Sequence, residues 1–190
     1  MRSIRITGMY TPRTTAQAFP WGRAALLLGL SIWTVSLLRL PLPALGGSFL
    51  HLINLVFHEA GHIVFAPFGA FMMSLGGSLL QVIVPLACAW AFLFQQDDRF
   101  GASVCVWWAG ESLLDLAPYI DDARSLQLML LGGPAAEVEG HDWEAILMAL
   151  GWLHLDHTIA AWAWYLGAGV MLGALVYSVF VLRSSFSPNA

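Results

Sequence analysis

The chain has 190 residues, of which 58% are hydrophobic and 11% are charged, and its mean hydropathy is +0.71. Because soluble domains are about 45–50% apolar and about 25% charged, this composition excludes an ordinary soluble domain and favours a membrane protein. The formal charge of −4 is spread along the chain, so we expect the partner to be a lipid bilayer and no nucleic acid. The length predicts a single membrane domain, residues 1–190, and leaves the oligomeric state open.

Residues 1–23 form an arginine-rich segment that precedes the first apolar run. Arg2, Arg5 and Arg13 lie in it, and this positive charge predicts a cytoplasmic N-terminus. The apolar run that follows is longer than that of a secretory signal, and Arg39 and two prolines interrupt the region where cleavage would be expected. We therefore interpret the run as a retained first membrane helix.

Five segments are long and apolar enough to cross a bilayer, for which about 20 residues are needed. They are residues 24–40, 48–66, 78–94, 100–116 and 158–182. A polar insert, residues 118–157, separates the last two, and its "HDWEAILMALGWL" has the apolar spacing of a helix that lies at the membrane interface. Residues 183–190 are a short tail. The predicted fold is an all-α, multi-pass transmembrane bundle of about five membrane helices.

The second segment carries the polar motif "HEAGH". His58 and His62 are four residues apart, so on a helix they share one face and can offer two imidazole nitrogens to one metal ion. Glu59 lies about 100° around the helix, where it reaches a metal-bound water as a general base. Ionisable groups are costly inside a membrane and are usually functional there, so we favour metal binding over two histidines that bind nothing.

The same helix extends this polar face towards its beginning. His51 and Asn54 continue the stripe of His58 and His62, and we expect the stripe to face the bundle interior or a water-filled cavity. His51 and Asn54 are candidates for hydrogen bonding to the ligands or for contacting substrate, as are Ser112 and Asp115. Placement of His51 at the outer interface is the alternative. Cys88 and Cys105 lie in apolar runs and are expected to be core residues.

A catalytic zinc usually has three protein ligands and keeps one position for water, so a third ligand is required. Periodicity does not choose among the later candidates, which are Asp115, Asp121, Asp122, His141, Asp142, Glu144, His154, Asp156 and His157. Counting crossings from a cytoplasmic N-terminus takes the second helix inwards and ends the fourth helix at the same depth. The histidines are then expected near the cytoplasmic end, where they meet the segment "DLAPYIDDAR".

"FHEAGH" in a membrane helix resembles the site-2-protease family of intramembrane zinc metalloproteases. The family's third ligand is an Asp that follows an N-L-x-P pattern, and "DLAPYIDDAR" is similar, with Asp115 at the Asn, Pro118 at the proline and Asp121 at the ligand. "SLGGSLLQ" is similar to the family's G-x-L-x-N helix start, with Gln81 in place of the Asn. The resemblance covers residues 49–124 and implies Zn²⁺ bound by His58, His62 and Asp121, with Asp115 as the alternative third ligand.

The function that the resemblance implies is hydrolysis of a peptide bond in a membrane-embedded protein substrate, with Glu59 as the base. The chain is also similar to small bacterial membrane proteins that carry both motif regions, which implies the inner membrane of a bacterium. The alternative is a non-proteolytic membrane protein that keeps a zinc site for structure, metal handling or binding. A pure scaffold is the third hypothesis, and it requires the polar stripe to be accidental. For the polar insert we expect a solvated loop, with a second metal site or a lid over the first as the alternative.

Overall fold

The computed structural model of the protein describes residues 20–131, 133–137 and 140–186. The arginine-rich residues 1–19 and the end of the tail, residues 187–190, lie outside the described residues. The helices are α1 (Pro20–Arg39), α2 (Phe49–Phe65), α3 (Ala70–Gln95), α4 (Arg99–Asp121), α5 (Asp142–Leu150) and α6 (Asp156–Phe186), with short 3-10 helices at Leu42–Gly47, Ala66–Phe68 and Leu153–Leu155. A two-stranded hairpin, β1 (Met129–Leu130) with β2 (Gly133–Pro134), completes the described chain. The predicted all-α bundle is confirmed.

Four of the described helical segments are long and apolar enough to cross a membrane, and they contain α1, α2, α3 and α6. The chain is therefore a membrane protein by the length and composition of its helices. The fourth expected span differs, because α4 carries Arg99, Glu111, Asp115 and Asp121 and lies buried among the other helices. α4 is the centre of the bundle, and the apolar helices enclose it.

α4 and α6 pack closely along most of their length. Gly110 and Gly167 face each other, and a Cβ added to either one would lie within 3.0 Å of the other's carbonyl oxygen. Two buried hydroxyls, those of Ser103 and Ser178, bond across the same interface at 2.7 Å. Small residues let the backbones approach, as is usual where membrane helices pack together. This close packing fixes α4 against α6.

α1 and α4 run in the same direction. Arg23 Nη2 lies 3.1 Å from Asp98 Oδ1 at the start of α4, and further along Trp107 Nε1 donates to Thr34 Oγ1 at 2.8 Å. Counting alternate crossings predicted that these two helices are antiparallel. That prediction is wrong, because the two contacts show that they are parallel. The ion pair and the Trp107–Thr34 hydrogen bond hold the two helices side by side in this direction.

α2 contacts α4 from the middle of α4 to its C-terminal end. Asn54 Nδ2 bonds Glu111 at 2.9 Å, while one turn later the His58 ring lies 5.8 Å from the Tyr119 ring. The "HEAGH" motif is therefore at the end of α4 that is opposite the start of α1. From the sequence we expected the N-terminus and the histidines on the same, cytoplasmic side of the membrane. The structure places the start of α1 and the histidines at opposite ends of α4, so only one of these two expectations can be correct.

Candidate metal centre

α2 presents His58, Glu59 and His62, and its start is fixed by Ser48, whose hydroxyl accepts a hydrogen bond from the backbone N–H of His51 at 3.1 Å. This N-cap satisfies one of the free N–H groups of the first turn. α3 passes close beneath the histidines because Gly77 has no side chain, and a Cβ there would lie 2.7 Å from His58 Nε2. Gly77 therefore makes room for the imidazoles, while Gly76 makes room for Phe65 and the Gly61 carbonyl. Both glycines lie within α3, which begins at Ala70 and not after them.

His58, His62 and Asp142 form a group that can hold a metal ion. Their ligand atoms lie within 4.8 Å of one another. His58 Nε2 is 3.3 Å and His62 Nε2 is 3.2 Å from the same carboxylate oxygen, Asp142 Oδ2. Two imidazole nitrogens and one carboxylate oxygen thus converge on one point at the inner face of α2.

The second nitrogen of each imidazole fixes which nitrogen carries the proton. His62 Nδ1 lies 2.8 Å from the carbonyl oxygen of Met73, which can only accept, so Nδ1 carries hydrogen. His58 Nδ1 lies 3.1 Å from Gln81 Oε1, and the Gln81 amide is oriented by its Nε2, which donates to Asp115 Oδ2 at 3.1 Å. In neutral imidazoles, both Nε2 lone pairs then point at the Asp142 carboxylate. Three acceptors without a hydrogen between them are the arrangement that a cation stabilises, and metal-binding histidines typically donate their other N–H in this way.

Asp142 begins α5 and is held from two sides. The Tyr119 hydroxyl donates to Asp142 Oδ2 at 3.1 Å, and the Asp142 backbone N–H donates to the same hydroxyl oxygen at 3.0 Å. The next residue, Trp143, donates from Nε1 to Ser78 Oγ of α3 at 3.1 Å. Burial opposes the charge on Asp142, but when the Nε2 atoms carry hydrogen, in the positions that a metal ion would take, their hydrogen bonds from His58 and His62 outweigh burial and lower the pKa of Asp142 to about 2. The carboxylate is therefore ionised, as a metal ligand must be.

His141 anchors the start of α5 next to the site. Its Nδ1 accepts from the backbone N–H of Glu144 at 3.1 Å, so Nε2 carries the hydrogen of the neutral ring. Nε2 points towards Asp122 Oδ2 at 3.7 Å and has no hydrogen-bond partner within the described part of the chain. Burial lowers the pKa of His141, which keeps the ring neutral. Asp122 accepts from the backbone N–H groups of Gln127 and Leu128, which fixes its carboxylate at the loop before β1.

Burial also raises the pKa of the Tyr119 phenol above its usual value. The hydroxyl next to Asp142 is therefore protonated and remains a hydrogen-bond donor.

The predicted polar stripe contacts α4, as expected for groups that face the bundle interior. His51 Nδ1 pairs with Asp115 Oδ1 at 2.9 Å, and Asn54 Nδ2 donates to Asp115 Oδ2 at 3.0 Å. The Asn54 amide oxygen accepts from Trp108 Nε1 at 2.9 Å and from Ser112 Oγ at 3.4 Å. Asp115 is thus tied to His58 through Gln81, and it supports the ligand histidine without joining the group of ligand atoms.

Asp121, the third ligand that the resemblance implied, lies elsewhere. It pairs with His157 at the start of α6, and the next pair along, Arg124 with Asp156, has nitrogen–oxygen distances of 3.0 and 2.8 Å. The physical reason is the position of Asp121 at the last residue of α4, where its side chain reaches the first turn of α6. The insert instead folds back over the site and supplies Asp142, so it does not behave as the solvated loop that the sequence predicted.

A cavity of about 780 Å³ opens onto the three ligand atoms. Glu59 lines it and makes no hydrogen bond or ion pair with any residue that the structure describes, so its carboxylate is free for chemistry. The cavity extends past His51 and Asp115, between α2 and the β1–β2 hairpin. Its wall combines these polar groups with apolar side chains of α2, of α4 and of the segment that forms the hairpin: Leu52, Leu55, Leu116, Leu128, Met129, Leu130 and Leu131.

Sequence reasoning missed three groups that build the site: the Met73 carbonyl, Tyr119, and Asp142 as the favoured partner of the histidines. A backbone carbonyl leaves no sequence signal. Gln81 was noticed only as a replacement for an Asn. For Asp142, the available signal was its place at the start of the amphipathic "HDWEAIL" helix, directly after His141.

Comparison with protein-family models, with curated proteins and with solved structures found no match to this chain.

Replacing Gln81 with Leu is expected to weaken zinc binding about 10- to 100-fold, the usual cost of losing a group that orients a ligand histidine. Leu leaves His58 Nδ1 without its acceptor, so the ring no longer favours the form with a free Nε2. Competition against a chelator of known zinc affinity measures the change. Gln81→Glu restores an acceptor and is expected to bind zinc better than Gln81→Leu; equal affinities of the two variants would contradict this role.

Proposed function

We propose that the chain is an intramembrane zinc metalloendopeptidase that hydrolyses a peptide bond of a membrane-embedded protein. The observation that carries the proposal is the convergence of three acceptor atoms, from His58, His62 and Asp142, at the wall of a large cavity. Glu59 lines the same cavity, and its carboxylate has no partner among the described residues. The resemblance of "FHEAGH" to the site-2-protease family points in the same direction.

Zinc fits the donors of this site. Two imidazoles and one carboxylate are a known catalytic zinc set, and three protein ligands leave a fourth position for water. The same donors also suit a mononuclear iron. We favour zinc because a carboxylate directly after the first histidine is the base that a hydrolytic zinc site requires.

Different residues of the chain have different roles in this reaction. A bound zinc ion supplies a water of pKa about 7 and polarises the scissile carbonyl. Glu59 takes the proton of the attacking water and delivers it to the leaving amine. Gln81 and the Met73 carbonyl hold the two imidazoles in place, and Asp115 holds Gln81.

The cavity fits a peptide segment. Its wall carries apolar side chains from α2 and from the β1–β2 hairpin on two sides, which suits the residues of a membrane-embedded substrate. The polar pair His51 and Asp115 lies further along the same wall.

For localisation we propose the inner membrane of a bacterium with the arginine-rich N-terminus in the cytoplasm, on the basis of the positive-inside rule. Because the metal centre lies at the end of α4 opposite Arg23, it is then nearer to the non-cytoplasmic face. Accessibility of a cysteine introduced near Asp142 to an impermeant reagent tests this orientation.

The second candidate is a non-proteolytic membrane protein that keeps the metal site for structure, metal handling or binding. One observation favours it: the third donor comes from the insert, at Asp142, which is outside the residues 49–124 that resemble the protease family. Whether the protein cleaves a membrane-embedded substrate distinguishes the peptidase from this second candidate.

The deciding experiment compares membrane proteins of cells that produce the wild-type chain with those of cells that produce Glu59→Gln. If the proposal holds, at least one membrane-anchored protein is cut only in the wild-type cells, at a site within or next to its membrane segment. Identical cleavage products in the two strains, with both proteins metal-loaded, would reject the peptidase and favour the second candidate.

A further inference from the structure

A peptidase site needs a donor for the negative charge that develops on the carbonyl oxygen of the scissile bond. The ligand atoms of His58, His62 and Asp142 are acceptors, and Glu59 is occupied with the proton of the water. Two hydroxyls line the described wall of the cavity, those of Ser74 and Tyr119. Of these, the Tyr119 hydroxyl bonds to a ligand atom, 3.1 Å from Asp142 Oδ2.

The Tyr119 oxygen is fixed in space while its hydrogen can turn. The backbone N–H of Asp142 donates to this oxygen at 3.0 Å, and the ring packs between the rings of His58, 5.8 Å away, and His141, 4.4 Å away. Rotation about the phenol C–O bond moves the hydrogen from Asp142 Oδ2 towards the cavity without moving the oxygen. A donor whose oxygen is already in place needs little reorganisation, and donors of this kind contribute strongly to stabilising a transition state.

We propose that Tyr119 is a further catalytic residue, whose hydroxyl donates a hydrogen bond to the oxyanion of the tetrahedral transition state. This inference rests on the proposed peptidase function. When the water oxygen bonds to the carbonyl carbon, the π electron pair moves to the carbonyl oxygen and the Tyr119 hydrogen bonds to it. The proton stays on Tyr119, and Glu59 carries the proton that passes from the water to the leaving amine.

The test uses the full-length protein in detergent with cobalt(II) at saturating concentration in the metal site. Binding of acetohydroxamate, an anionic oxygen ligand, and of imidazole, a neutral nitrogen ligand, is followed by the visible absorption of the cobalt. Tyr119→Phe is expected to weaken acetohydroxamate about 10-fold or more, the usual effect of losing a hydrogen bond to a charged group, and to leave imidazole unchanged. Ser74→Ala is the matched control and is expected to change neither.

Unchanged acetohydroxamate affinity in Tyr119→Phe would overturn the inference. Equal weakening of both ligands, or loss of the cobalt, would also overturn it, because Tyr119 would then act by positioning Asp142.

Activity gives a second readout. With a cleaved substrate, Tyr119→Phe is expected to lower kcat about 10²- to 10³-fold at unchanged KM. If Glu59→Gln is inactive while Tyr119→Phe keeps the wild-type kcat, the inference fails and the peptidase stands. If the wild-type protein cleaves nothing, the peptidase fails, and the acetohydroxamate titration still decides whether Tyr119 binds an oxyanion.

Discussion

Replacing His58 with Ala is expected to remove the metal from the purified protein. His58 Nε2 is one of the three converging donors, and its ring is buried against α3, where no other described donor replaces it. We expect the affinity for zinc to fall by more than the roughly 10- to 100-fold that loss of an orienting group costs. Elemental analysis of the protein after dialysis against buffered zinc measures the loss.

His51→Ala is the matched control, since it removes the same side chain from the same helix, two turns earlier. His51 contacts Asp115 and is not among the ligand atoms, so this variant is expected to keep its metal. Full metal content in His58→Ala would contradict the site that we describe.

Replacing Glu59 with Gln is expected to abolish cleavage while the metal stays bound. Glu59 lines the cavity and is not among the ligand atoms, so the amide leaves the metal in place but accepts no proton. Positioned general acid–base groups contribute about 10²- to 10⁴-fold to rate, and we expect a loss of kcat of that order. The measurement is the cleavage rate of a membrane substrate by purified protein, together with its zinc content.

Glu144→Gln serves as the control, because it makes the same chemical change on α5 outside the ligand group. It is expected to keep both metal and rate. A Glu59→Gln protein that cleaves at the wild-type rate would show that Glu59 is not the base.

The helical fold was predictable because it depends on local properties. Long apolar runs with few charges predict membrane helices, and the four most apolar runs all form them. The start of α3 was not predictable in the same way. Gly76 and Gly77 resemble a break in the sequence, but α3 continues through them from Ala70, since they let α2 and α3 approach closely.

The relative directions of the helices were not predictable from charge. The positive-inside rule weighs the arginines of loops and carries no information on which helices pack together. The pairs Arg23 with Asp98 and Thr34 with Trp107 align α1 with α4, and this alignment depends on contacts more than 70 residues apart in sequence.

In the candidate site too, some residues follow from local sequence pattern and others depend on tertiary contacts. His58, Glu59 and His62 follow from the four-residue repeat of a helix, which needs no tertiary information. Asp142 depends on the insert folding back, which Tyr119 and the Trp143–Ser78 hydrogen bond bring about across the bundle. A motif resemblance placed the third ligand at Asp121, whose side chain pairs with His157 instead.

The metal content of Asp142→Asn compared with that of Asp121→Asn is the most direct test of the central claim, that His58, His62 and Asp142 hold one metal ion. Both variants replace one carboxylate by the amide of equal size, and both are purified beside the wild type and analysed for zinc and iron. We predict about one metal ion per chain in the wild type and in Asp121→Asn, and a large loss in Asp142→Asn. Loss of the metal in Asp121→Asn with full metal content in Asp142→Asn would contradict the site, as would a wild-type protein that binds no metal.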